Sequence, residues 1–300
     1  MLRGPRAVIA AVSAIAALAV VTTGCGGGSS GGAKGALPLD PVAAAATKTQ
    51  HAGAARVRFS VAMSGSKLGK STLRMRGVGA IDGPSSEMSF RLGSMLGEMG
   101  APAGVLNKLG QSSIKAITLE QNGDLVIYLH LGFLSSQIPG GKPWIKLDFS
   151  KLGKQAGIDF GSLFSGNQLG PSDLLAMLKT EGAQVHKIGA AKVDGVSTTH
   201  YHFTVDLGKA LESKGVSSPM LKTLAARMKT ASDDVWVSKD GLVRRIRTAY
   251  TMAGLPGAPH MAMTMDIYDY GAHITIAAPP SSEVFDGTQL AQQGISSSLP

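Results

Sequence analysis

From residue 55 to residue 277 apolar and polar positions alternate with a period of two over most of the chain, which puts each apolar set on one face of a sheet. Val57, Phe59, Val61 and Met63 alternate with Arg58, Ser60 and Ala62. Leu73 and Met75 alternate with Arg74 and Arg76, and Met88, Phe90 and Leu92 keep the same period. Asn122-Gly123 is a strong hairpin signal that joins residues 117–121 to 124–130. Further strands are predicted over 144–149, 184–189, 191–205 with a turn at Asp194-Gly195, and 234–238. Asp240-Gly241 then turns the chain into 242–252, and a final pair is predicted at 261–270 and 273–277, closed by Pro279-Pro280. Helical signals are few. Asp40-Pro41 has the N-cap and first-turn chemistry for a helix over 42–50. Residues 94–109 are weakly helical, interrupted by Gly97, Gly100 and Pro102, and 172–180, 207–214 and 219–230 complete the set. Without a βαβ alternation or a solenoid repeat, the fold class is α+β, built around a large curved antiparallel sheet with a few helices.

The N-terminus changes the picture. Arg3 and Arg6 precede 15 uncharged, mostly apolar residues, 7–21. That length suits a signal-peptide core, and no run reaches the ~20 residues of a spanning helix. The run breaks at Thr22-Thr23-Gly24-Cys25, where small residues before the only cysteine resemble the lipobox of bacterial lipoproteins. Thr22 departs from the leucine usual there. In a lipobox the cysteine is diacylated, and two chains suffice for stable anchoring. The Gly/Ser-rich stretch 26–36 then reads as a flexible tether. The expected organisation is a signal peptide over 1–24, a lipidated Cys25 with its tether over 25–36, a folded domain over 37–290 and a tail over 291–300. A single cysteine also excludes a disulfide framework and a thiolate zinc cluster. Cleavage before Cys25 would remove Arg3 and Arg6 and lower the net charge from +9 to +7, a modest positive balance that suits an anionic membrane surface. The few aromatics are not interleaved with a basic patch, so no nucleic-acid partner is expected.

Catalytic chemistry is thinly represented. No G-x-S-x-G elbow, Walker loop or H-E-x-x-H is present. Ser64 with Lys67 and Ser112 with Lys115 have S-x-x-K spacing but lack the S-D-N and K-T-G elements that accompany it in acyl-transfer enzymes. His200 and His202 share a strand face, as a metal site requires, yet no third ligand is identifiable nearby, and solvent-facing histidines are the plainer reading. Asp233 and Asp234 are adjacent and point to opposite faces, which suits a solvated strand entrance. Arg245 and Arg247 share a face that either meets a phosphate headgroup or is simply solvated, with Ile246 turned inward. The chain is therefore read as a non-enzyme that needs no metal and no cofactor.

Six of the 13 methionines, Met63, Met75, Met88, Met261, Met263 and Met265, fall on predicted strands. Such side chains either line an adaptable apolar site or fill irregular space in a core. Gly77 and Gly79 mark a bulge, a bend or the close approach of another group. Residues 94–109, with Met95, Leu96, Met99, Val105 and Leu106 on an apolar face, read either as a mobile lid or as a buried helix with fraying ends.

Several segments carry a resemblance. They are Lys142-Pro143-Trp144-Ile145-Lys146-Leu147-Asp148, and Ile188-Gly189 through Val193-Asp194-Gly195-Val196 to Thr199-His200-Tyr201. To these add Trp236-Val237 with Asp240-Gly241-Leu242-Val243-Arg244-Arg245, and Tyr270-Gly271 to Ile276-Ala277-Ala278-Pro279-Pro280 with Glu283-Val284. Together, over about 41–286, the chain resembles the actinobacterial lipoproteins of the LppX/LprG type, within the LolA/LolB-like lipoprotein-carrier fold. The resemblance implies a half-barrel whose apolar cavity holds the acyl chains of a lipid, glycolipid or lipoprotein. The residues expected to face that ligand are Val57, Phe59, Val61, Met63, Leu73, Met75, Met88, Phe90, Met261, Met263 and Met265. The expected location is the outer face of a bacterial cytoplasmic membrane, with acylated Cys25 in the bilayer. The rival expectation is an envelope interaction or sensory lipoprotein that uses the same fold as a scaffold, with a filled core and an exposed partner patch.

Overall fold

The computed structural model describes residues 40–65, 72–98, 100–155, 185–206, 230–251 and 259–298. The expected signal peptide, Cys25, the expected tether and the helices predicted over 172–180 and 207–214 lie outside those residues, as does that over 219–230 except for Thr230, which is a strand residue. Among the described residues, twelve strands form one sheet. A first meander holds β1 (Ala55–Ser64), β2 (Leu73–Asp82), β3 (Ser85–Arg91), β4 (Ser113–Gln121), β5 (Asp124–His130) and β6 (Trp144–Asp148). A second holds β7 (His186–Val193), β8 (Val196–Asp206), β9 (Thr230–Ser238), β10 (Val243–Thr251) and β11 (His260–Tyr268). The two are zipped together by antiparallel pairing of β1 with β11. β12 (Val284–Asp286) adds a short parallel strand beside β6 at one edge, and β7 forms the other edge. This is the expected curved, mostly antiparallel α+β half-barrel.

Turn chemistry sets the register. Asn122 and Gly123 both take positive φ, 55° and 81°, as do Asp194 and Gly195 at 50° and 81°. Two successive positive-φ residues make the tight turn whose twist matches the flanking strands. Gly189 marks a register shift between β7 and β8. The predicted strand 144–149 ends one residue early, because the Asp148 carboxylate accepts the Lys151 backbone N–H at 2.9 Å and caps a short helix, Phe149–Gln155.

The helices line one face of the sheet. α1 (Asp40–Gln50) buries Ala45 there, and its Thr49 hydroxyl accepts the Val243 N–H of β10 at 2.9 Å. The resulting core joins Ala45, Val57, Leu92, Leu129, Leu131, Ile145, Leu152, Val237 and Ile267. Fully burying such side chains stabilises the fold by about 1.5–3 kcal/mol each. The C-terminal helix Thr288–Ser298 crosses the expected domain boundary at 290 and packs Ala291 against this core.

The segment 273–277 is not a strand, which corrects the predicted final pair. β11 already pairs on both sides, with β1 and β10, so no edge is left for it. This stretch instead crosses the opposite face of the β4–β6 arm. There Ile276 and Val284 pack on a second apolar cluster of Ile117, Leu119, Val126, Tyr128 and Trp144.

Candidate functional site

The eleven residues expected to face a ligand share one face of β1, β2, β3 and β11. Directly opposed residues of antiparallel strands point the same way. Val57 lies opposite Gly79 and Ile267, and Phe59 opposite Gly77 and Met265. Val61 lies opposite Met75 and Met263, and Met63 opposite Leu73 and Met261. β3 adds Met88 opposite Gly79 and Phe90 opposite Gly77. The glycines have a steric reason. A Cβ at Gly77 would enter the Phe59 ring and the Ser89 carbonyl, and one at Gly79 would strike the Met88 sulfur and the Glu87 carbonyl. Of the three readings for these glycines, the structure supports close approach.

The face is not uniform along the strands. Val57, Phe59, Met88, Phe90 and Met265 are buried within the helix-covered core, and Met75 packs against it. Val61 is 7% exposed, whereas Met63, Leu73, Met261 and Met263 are only half-buried and belong to neither core cluster. The apolar face thus continues past the packed core as a methionine-rich patch. On its β10 side Tyr250 donates its hydroxyl proton to the Met261 sulfur at 2.8 Å. Beside it the Thr248 hydroxyl donates to the Asp233 carboxylate at 2.6 Å. Burial raises the Asp233 pKa, against a smaller lowering by the Thr248 hydrogen bond.

Residues 94–109 form two short helices, α2 (Leu92–Glu98) and α3 (Ala103–Leu109), divided by Pro102 in an extended conformation. Their base is pinned where Gly93 meets the Gly110 carbonyl so closely that no Cβ fits. α3 buries none of its residues, and Val105 is exposed. Met99, part of the expected apolar face, lies outside the described residues.

The other face of the second meander is polar and ordered, which corrects two expectations. His200 and His202 are half-buried, and each presents a ring nitrogen to the same Asp234 oxygen, at 2.8 and 3.0 Å. Asp234 is itself buried within β9, so it belongs to no solvated strand entrance, and Arg247 Nη1 reaches its second oxygen at 3.3 Å. Burial disfavours the Asp234 carboxylate, but the hydrogen bonds from His200 and His202 outweigh it and hold the pKa below the usual value. No group of three metal-ligating side chains is arranged to hold an ion among the described residues. His200 stacks on Trp236 at 4.2 Å between ring centroids, and Arg245 lies over the indole at 5.8 Å. Arg245 grips Asp266 with two hydrogen bonds, at 2.5 and 2.9 Å. Arg58, one strand further on, pairs with Asp194 at the tip of the β7–β8 hairpin. Of the S-x-x-K pairs, the Ser112 motif has its lysine occupied, since Lys115 bonds Glu87 at 2.9 Å.

On this same face a cleft of about 1030 Å³ spans β11, β1, β2 and β3. Its wall carries Arg58, Arg76 and Arg91, with Val78 between them. The sequence reading missed both the histidine–aspartate cluster and this cleft. Period-two spacing marks which residues share a strand face, but only the strand order brings His200, Asp234 and Arg247 side by side.

No protein-family model matches the chain. A curated protein of Streptomyces griseus, described as an uncharacterized 31.2 kDa protein in the rplA-rplJ intergenic region, is 26% identical over 265 residues, 85% of this chain and 81% of that protein. Among solved structures, the lipoprotein LppX of Mycobacterium tuberculosis is 14% identical, with a TM-score of 0.40 over 79% of this chain and all of that one. LprF of Mycobacterium bovis is 12% identical, with a TM-score of 0.39 over 81% of this chain and 97% of that one. A LolA superfamily protein of Nitrosomonas europaea is 10% identical, with a TM-score of 0.27 over 82% of this chain and 96% of that one. All three lie below a TM-score of 0.5, so the chain's own residues must carry any functional reading.

Proposed function

We propose that the protein is a membrane-anchored lipoprotein that takes up the acyl chains of a lipid, glycolipid or lipoprotein, for carriage or shielding at the cell envelope. Acylated Cys25 holds it at the extracytoplasmic face of a bacterial membrane. The observation that supports the binding role is the continuation of the apolar face beyond the packed core. Met63, Leu73, Met261 and Met263 supply half-buried apolar surface, mostly unbranched, where the core side chains stop. Burial of methylenes drives uptake at about 0.8 kcal/mol each and needs no catalytic group. Methionines repack around chains of different length at little cost.

The test is native mass spectrometry of the protein purified from its own membrane, together with uptake of a fluorescent fatty acid. A retained lipid, and uptake weakened several-fold by Met263→Glu, support the reading. Ligand-free protein that also takes up no probe overturns it. One observation favours a second reading, an interaction or sensory lipoprotein. Five of the eleven expected ligand-facing residues lie in the packed core, as a filled scaffold requires. That reading predicts the ligand-free outcome.

A further inference from the structure

We infer that the cleft on the polar face of β1–β3 and β11 is a docking site for the phosphate layer of an anionic phospholipid membrane. Three guanidinium groups project into it from three neighbouring strands. Arg58 of β1 lies opposite Val78 of β2, and Val78 lies opposite Ser89 of β3. Gly77 pairs with Phe90, so continuing that register by one residue sets Arg76 opposite Arg91 on the polar face. Strand spacing spreads the three arginines over about 10 Å. That array, in a cleft of about 1030 Å³, is wider than a single phosphate.

The charge in the cleft is cancelled only in part. Asp266 is the one carboxylate in its lining; both arms of Arg245 hold it, and Arg58 lies 3.9 Å from it. Arg58 is also paired with Asp194, and Arg91 is likewise engaged. The Arg76 side chain is exposed and has no ion pair or hydrogen bond among the described residues. A guanidinium in this position is suited to bidentate phosphate contact. The apolar element favours a membrane over a free phosphate. Val78 is 55% exposed in the middle of the arginines. A cationic rim around an exposed aliphatic group matches the boundary between headgroups and acyl chains. The site stands whether or not the opposite face of the sheet takes up lipid.

The full chain carrying Cys25→Ser, which removes acylation, is sedimented at low salt with phosphatidylcholine vesicles and with vesicles also containing phosphatidylglycerol. The readout is the increment in binding caused by the anionic lipid. Each basic residue near such a surface contributes about 1 kcal/mol, which is roughly five-fold in that increment. Arg76→Gln is expected to lower it about five-fold and Arg76→Glu further, while Lys239→Glu, on an exposed turn outside the cleft, leaves it nearly unchanged. Thermal melts by circular dichroism confirm that each variant is folded, and Arg76 is exposed enough for both of its variants to keep the wild-type melt. Equal losses in Arg76→Glu and Lys239→Glu overturn the proposal in favour of net charge alone. So does an increment that Arg76→Glu leaves intact. Saturable binding of glycerol 3-phosphate without vesicles, abolished by Arg76→Gln, also overturns it by assigning the cleft to a soluble anion.

Discussion

The β4–β6 arm and the β9–β11 arm share the same helix-covered inner face, yet their sequences look unlike. In β5 five consecutive residues, Leu125 to Leu129, are buried. In β11 the residues from Met261 to Thr264 are all only half-buried, and burial is reached at Met265 and Ile267 alone. The difference lies on both faces: on the inner one Met261 and Met263 run past the packed core. On the outer one Ile276 and Val284 cover Ile117, Leu119, Val126 and Tyr128, so β4 and β5 are apolar on both sides. The outer face of β8–β11 instead carries His200 bonded to Asp234 and stacked on Trp236, and Arg245 bonded to Asp266. Burial along a strand here follows how much of each face is covered, and the half-buried stretch of β11 is the part proposed to meet a ligand.

The largest test of that contrast is truncation in each arm. Leu129 is 0% exposed in the core of the doubly covered arm, and Leu129→Ala should cost about 3–4 kcal/mol in urea unfolding. Met263→Ala, on the half-buried patch, should cost about 1 kcal/mol or less, because little packed volume is lost. Equal costs would mean that the patch is as tightly filled as the core.

Next in size is Gly77→Ala, at the seam between the packed core and the patch. Its Cβ would overlap the Phe59 ring, which can move, and the Ser89 carbonyl, which is held by the sheet. A loss of about 2 kcal/mol is expected, within the usual range for overpacking. Phe59→Leu in the same chain should recover only part of it, since the clash with the carbonyl remains. Full recovery would show that the strands themselves are free to separate.

Asp234→Asn probes the polar face. It removes the charge that both histidines and Arg247 address, and should cost about 1–3 kcal/mol at pH 7. The Asp234 pKa is depressed, because the hydrogen bonds from His200 and His202 outweigh the opposing effect of burial. A depressed carboxylate pKa gives stability above its unfolded value, about 3.9, and loses it as the pH falls through the folded value. The deficit of the variant in thermal melts should therefore shrink steadily below about pH 4. A deficit that persists undiminished at pH 2 would assign the effect to packing.

Much of this was legible in the sequence, for reasons that differ by region. Asn122-Gly123, Asp194-Gly195 and the alternation around Val57 and Met263 are local signals, and local geometry obeys them. The segment 273–277 misled because Ile274 and Ile276 alternate as a strand does, while the pairing that would have made one was already taken by β1 and β10. The His200–Asp234–Arg247 cluster was illegible for a related reason. Its members come from three strands, and their meeting depends on the order of those strands in the sheet. The arginine cleft likewise needs β11, β1, β2 and β3 side by side before its charges converge.

The smallest effect sets the two faces against each other at a single peptide bond. Asp233 and Asp234 are neighbours on β9, yet Asp233 bonds Thr248 on the face of the methionines and Asp234 bonds the histidines on the other. Burial raises the Asp233 pKa, and the charge of Asp234 adds to it. A raised carboxylate pKa favours the folded state fully below the unfolded value of about 3.9, and that advantage is lost as the pH rises through the folded value. At pH 7 the charged form is therefore a burden on this face. Asp233→Asn keeps an acceptor for the Thr248 hydroxyl and carries no charge. It should stabilise the protein at pH 7 by about 1 kcal/mol or less, opposite in sign to Asp234→Asn, and the gain should vanish near pH 3. Should Asp233→Asn destabilise the protein at pH 7, the carboxylate must be satisfying a cation on that face, and the face could no longer be counted as one built for hydrocarbon.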